Sequence, residues 1–152
     1  LILITHAHGD HYNQETLNAL LSENTPLIVN QAVYDKLPPA MQGNASVLGN
    51  GDMAYANDVK IEAIPAHNLT EERMKFHPVG RDNGYVLTID GLRVYISGDT
   101  EDVPEMRALK DIDVAFVCMN LPFTMDANAA ASAAAAAVSA ARRFDIDDIF
   151  GC

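Results

Sequence analysis

"LILITHAHGDHY", residues 1–12, sets an aliphatic run against three histidines and an aspartate: His6, His8, Asp10 and His11. Leu1 to Thr5 reads as a short buried strand, a run of apolar residues that ends at polar ones. On a strand, His6 and His8 are two apart and point to the same side. Asp10 and His11 fall in the turn beyond it, where Gly9 lets the backbone turn sharply. Imidazole nitrogens and carboxylate oxygens suit zinc, iron or manganese. Three of the chain's five histidines stand within these six residues, which makes unconnected surface histidines a poor account of them. A purely structural zinc site would favour a closed, cysteine-rich set. The chain has two cysteines and no CxxC, so neither a zinc knuckle nor a redox pair is indicated.

Working outward, Asn13 is placed to cap a helix whose apolar stripe is Leu17, Leu20 and Leu21. Residues 26–30 form a second short buried strand. Residues 31–37 form a short helix stopped by Pro38-Pro39. Residues 45–52 give a strand and a Gly-Asn-Gly turn, and 53–68 two strand pieces around Asn57-Asp58. The polar loop 67–83 is too long for a simple connection, and such loops often carry function. In "GYVLTIDGLRVYISGD" two alternating runs flank Asp90-Gly91, a type I′ hairpin signal. "DIDVAFVCM" reads as another buried strand, with Cys118 as a buried, inert thiol. Residues 127–143 are so rich in alanine that they should be helix, with side chains small enough to lie close to a sheet. The pattern is α/β, layered, with a mixed sheet and one domain over 1–152.

The second candidate element is "YISGDT", residues 95–100. Asp99 follows a buried strand and a glycine, a place from which a carboxylate could bridge two cations. Alone it is an ordinary turn-forming aspartate. Ten basic residues against twenty-one acidic ones give a formal charge of −11, which disfavours nucleic acid and anionic membrane surfaces as partners. No apolar run approaches the ~18 residues that span a bilayer. No leader is visible, which points to a cytoplasmic protein, although a start in mid-strand leaves an exported form open.

Taken together, "THAHGDH" and the later "ISGDT" resemble the metallo-β-lactamase superfamily of metal-dependent hydrolases. The stretch "FHPVGRDNGYVLTIDGLRVYISGDTEDVPEM…DIDVAFVCMNLPFTM" is similar to its lactonase-like and phospholipase D-like branch. The resemblance covers nearly the entire chain and implies an αββα sandwich with a dinuclear site at one edge. By it, His6 and His8 bind the first metal, Asp10 and His11 the second, and Asp99 bridges both. The third imidazole of the first metal is His77, in "FHPVG", with His67, at the end of "KIEAIPAH", as the alternative. The implied cofactors are two divalent ions, zinc first, with manganese or iron as alternatives.

The chemistry implied is attack of a metal-bound hydroxide on an ester, lactone or phosphodiester bond of a small-molecule substrate. Asp10 and Asp99 orient the hydroxide and are the proton acceptors. Thr5 and Thr100 are candidates to hydrogen-bond the imidazoles. Arg81 would either meet an anionic substrate group or, as the more ordinary reading, stand in solvent. The competing readings are an iron-dependent redox member of the same fold and an inactive metal-binding module. Relatives of this type begin with further strands before the His-x-His-x-Asp-His strand. They also place a final metal-binding histidine after the strand that follows the last helix. The chain therefore reads as a fragment cut at both ends. Taken alone, it is expected to bind the second metal weakly, dissolve poorly and be nearly inactive.

Overall fold

Two tight turns show how directly the sequence dictates local structure. Asn57 and Asp58 take φ of 49° and 63°, and Asp90 and Gly91 take 49° and 84°. Two successive positive values are what a type I′ hairpin requires. The first turn joins β4 (Met53–Ala56) to β5 (Val59–Ala66), and the second joins β6 (Asp82–Ile89) to β7 (Leu92–Ile96). With β8 (Val114–Phe116) parallel to β7, these strands form a five-stranded mixed sheet in the order β4-β5-β6-β7-β8. The computed structural model describes residues 1–138. The alanine-rich helix expected over 127–143 ends at Ala137, where Val138 turns extended and bridges Ile112; residues 139–143 and the strand expected after them lie outside the described residues.

A second, all-parallel sheet joins β1 (Ile2–Leu3), β2 (Leu27–Val29) and β3 (Ala45–Val47). On its outer face lie α1 (Gln14–Leu20), α2 (Gln31–Tyr34) and α3 (Pro39–Gln42). They bury Leu17, Val33, Leu37 and Met41 against Ile4 and Val29. Between the sheets lie Ile28, Leu48, Ile61, Ala63, Tyr85 and Leu87. Beyond the five-stranded sheet, α4 (Pro104–Arg107) and α5 (Ala127–Ala137) cover Val86 and Tyr95 with Met106, Ala130 and Ala133. Successive residues of β6 thus serve opposite faces, as the two-residue period of a strand demands. The order of layers is helix, sheet, sheet, helix, the αββα sandwich that the resemblance implied.

Several boundaries differ from the sequence expectation. Pro39 does not end a helix. It starts α3, because the first turn of a helix needs no N–H from it. Leu20 is 63% exposed, so Leu17 alone of the stripe is buried in the core. The long loop ends at Arg81: Asp82 and Asn83 pair with Ala66 and Pro65 and belong to β6. Among the described residues β8 is an edge strand with Phe116 exposed, not a buried one. Asn13 and Asp126 cap α1 and α5 through bonds from Thr16 N–H and Ala129 N–H.

Polar side chains clamp the end of β1 between the layers. The Tyr85 hydroxyl donates to Ile4 O at 3.0 Å, Asn30 Nδ2 to Thr5 O at 2.9 Å, and Asn83 N–H to Thr5 O at 3.0 Å. Such buried carbonyls need partners, and these fix where the chain leaves the sheet. Gly98 stands against the same spot with φ of +58°; a Cβ there would come within 2.9 Å of Asn83 O and of Thr5 Cβ.

Candidate metal centre

β1 stops at Leu3, so His6 and His8 do not sit on a strand. They follow it in a turn closed by bonds from His11 N–H and Tyr12 N–H to His8 O, 3.0 and 2.8 Å. Their convergence comes from this turn, not from strand alternation. Gly9 is not among the glycines with positive φ, so the turn does not rely on the freedom expected of it. The ring centroids of His6 and His8 lie 4.7 Å apart, and each is 4.9 Å from His77, which the long loop carries in from the other sheet. His11 is tilted over His6 at 4.1 Å.

Two groups of potential ligand atoms result: His6, His8 and His77, and His6, His11 and Asp99, the atoms of each within 4.8 Å of one another. Asp99 connects the groups, its two oxygens 3.4 Å from His11 Nε2 and 3.5 Å from His77 Nε2. Asp10 stands at the rim, 69% exposed, 3.8 Å from His11 Nε2. His67 is buried but belongs to neither group. Its main chain bonds the Thr100 hydroxyl and Glu101 N–H, and its Nδ1 is buried without a partner among the described residues.

The charge states of His6 and His8 suit metal ligands, whereas without an ion His11 is held toward its protonated form by Asp99. Burial and the neighbouring charge of His11 push His6 down to about 4, so its ring is neutral at pH 7, the form that binds a metal. Burial and the charge of His77 also lower His8. His11 is raised, chiefly by its hydrogen bond to Asp99, which outweighs burial. Burial alone would raise the Asp99 carboxyl, but the bond from His11 and the charges of the surrounding histidines hold it below its ordinary value.

Around the rings, Thr5 Oγ1 lies 3.0 Å from His6 Nδ1 and 3.3 Å from His11 Nδ1. Thr100, the other threonine expected there, bonds main chain and not a ring. Asp82, which sequence reading missed, meets His77 Nδ1 at 3.0 Å. It is fully buried. Burial would raise its carboxyl, but bonds from Arg81 and His77 outweigh that and keep it low. Arg81 grips it with Nε and Nη2, both at 2.8 Å, and donates to Phe76 O at 2.6 Å. Arg81 is thus neither a solvated side chain nor wholly free for a substrate. The signal for Asp82 was present: an acid next to an arginine, opening a strand five residues after a histidine. Cys118 is half-buried, its Sγ donating to Thr100 O at 3.3 Å.

Residues 1–141 match the beta-lactamase superfamily domain. The chain belongs to this family. Among relatives of the beta-lactamase superfamily domain, a metal-dependent hydrolase of Thermococcus onnurineus is 33% identical over 141 residues, covering 88% of this chain and 60% of that one. A crystal structure from Parabacteroides distasonis, described as a metal-dependent hydrolase, is 50% identical with a TM-score of 0.81, covering 88% of this chain and 59% of its own. A metallo hydrolase of Ignicoccus hospitalis is 25% identical with a TM-score of 0.66, covering 88% and 57%. The chain therefore spans about 60% of the length of such relatives. No helix among the described residues is long and apolar enough to cross a membrane.

Proposed function

We infer that the protein is a metal-dependent hydrolase with two divalent ions, zinc in the first instance, acting on an ester, lactone or phosphodiester bond. In this reading His6, His8 and His77 hold one ion, and His11, Asp10 and the bridging Asp99 the other. The observation that carries it is the pair of ligand groups, which share His6 and meet at Asp99; Asp10 belongs to neither group, and its place rests on the resemblance. His6 adds a test of fit: its Nε2 is buried with no hydrogen-bond partner among the described residues, a cost of about 1–3 kcal/mol unless something else takes the lone pair. The nitrogen and oxygen donor set is right for zinc, manganese or iron.

When bound, the ions would lower the pKa of a water and polarise the substrate oxygen. The chain's own residues do the rest. Asp82 accepts from His77 Nδ1, which leaves Nε2 bare and aimed at the site. The Thr5 hydroxyl orients His6 and His11 through their Nδ1 atoms. Such partners fix ring tautomer and direction. Asp10 and Asp99 are the groups that would orient the attacking water and accept its proton at a carboxylate oxygen. Asp99, half-sheltered and fixed by His11, suits orientation. Asp10, exposed at the rim, suits passing a proton to solvent.

The test is zinc analysis and hydrolysis of ester and phosphodiester reporters by the complete protein as wild type, His6→Ala and His8→Ala. Both variants should lose the first ion and fall at least 100-fold in kcat/KM. Full metal content and wild-type turnover in both would overturn the assignment.

A further inference from the structure

A cavity of about 580 Å³ opens between α2, the end of β3 and the tip of the long loop, lined among others by Gln31, Asp35, Val47, Val79 and Arg81. That size is typical of small-molecule sites. Arg81 spends Nε and Nη2 on Asp82 and Phe76 O, which leaves Nη1 without a partner among the described residues. Asp35 Oδ1 accepts from Gln31 Nε2 at 2.6 Å, and the outer oxygens of both side chains have no partner there either. The walls thus offer one donor and two acceptors, beside the exposed carbons of Val47 and Val79.

Charge narrows the ligand. The positive charge of Arg81 is already matched by buried Asp82, and Asp35 is an acid without a cationic partner among the described residues. A further anion would meet net negative surroundings, and a purely apolar group would strand the free donor and acceptors. An uncharged ring bearing several hydroxyls fits both demands, its hydroxyls donating to Asp35 and Gln31 and accepting from Arg81, its C–H face against the valines.

We propose that this cavity receives an uncharged, polyhydroxylated arm of the substrate. This rests on the hydrolase reading above, because Arg81 also fixes Asp82 and, through it, His77. A second wall residue, Asn30, donates from Nδ2 to Thr5 O next to His6, so the cavity borders the histidine group through Arg81 and Asn30.

The test compares two acetate esters with the zinc-loaded complete protein, methyl 6-O-acetylglucoside and cyclohexylmethyl acetate, and two unreactive alcohols, methyl glucoside and cyclohexylmethanol. Asp35→Asn and Gln31→Ala change exposed side chains outside the ligand groups. The sugar ester should have the higher kcat/KM by about tenfold. The variants should lose that preference, about five- to tenfold, with the cyclohexyl ester unchanged. Methyl glucoside should shift the amide resonances of Ala32, Val47 and Val79, and cyclohexanemethanol should not. Equal kcat/KM for the two esters, variants that lower both alike, or unmoved amides on titration with methyl glucoside would overturn the proposal. Amides that move while neither ester is hydrolysed would support the cavity and count against the hydrolase reading.

Discussion

His77 and Asp82 matter more than their place in a polar loop suggests. The buried contact between His77 Nδ1 and Asp82, backed by both forks of Arg81, is what turns a loop histidine into an aimed one. Asp82→Asn keeps the shape but weakens the grip, and zinc affinity should fall about 10- to 100-fold, read by competition with a chelating dye. Unchanged affinity would mean that Asp82 does no more than fill space. His77→Ala should lose the ion altogether, whereas His67→Gln, altering a ring outside both ligand groups, should keep it. If the two variants trade places in a metal analysis, the third imidazole has been assigned to the wrong residue.

The hairpins and their flanks set the frame. Gly98 ends the β7 connection with φ of +58° and no room for a Cβ, so Gly98→Ala should cost about 1–3 kcal/mol and displace Asp99 beside it. Urea unfolding with a zinc titration would read both effects; a variant as stable as wild type with full metal binding would refute the close-packing argument. On β5, Glu62 meets Lys60 at 3.2 Å and Arg93 at 2.8 Å. Burial would raise its carboxyl, but these two partners outweigh it and hold it below 4.5. A carboxyl lowered by folding adds stability above its unfolded value and loses it as pH falls through the folded one. Glu62→Gln should therefore lower Tm at pH 7, and the gap from wild type should close as pH falls below about 4.5. A gap that persists at pH 3 would assign the effect to packing.

The two sheets meet through a mixed interface, apolar across its middle and polar where the site begins. Tyr85 is wholly buried there, pushed up to about 12 mainly by that burial. Its hydroxyl holds Ile4 O of the other layer. Tyr85→Phe keeps the ring and strands the carbonyl, so stability should fall by about 1–2 kcal/mol in chemical denaturation. Because β1 leads straight to His6, the same variant should weaken zinc binding. A stability loss with no change in zinc affinity would separate the clamp from the site.

The αββα arrangement came with the resemblance; the sequence by itself determined a layered α/β pattern, the I′ hairpin at Asp90-Gly91, the helix cap at Asn13, and the candidates His6, His8, His11, His77 and Asp99. These are written in short-range patterns: runs of two-residue period, turn residues that accept positive φ, and a dense cluster of metal-binding side chains. The tertiary structure decided which histidine of the long loop meets the cluster. His67 and His77 are ten residues apart in the same polar loop, and no local rule ranks them; the resemblance favoured His77, but only the return of the chain through β6 decides which ring points inward. It also revealed Asp82, whose partner's role depends on burial, and Arg81, whose guanidinium was spoken for by its neighbour. It moved Thr100 from the rings to the main chain, and placed β8 at an edge of the sheet that the described residues form. Each of these depends on what lies across the gap between layers, and that information is carried by contacts distant in sequence.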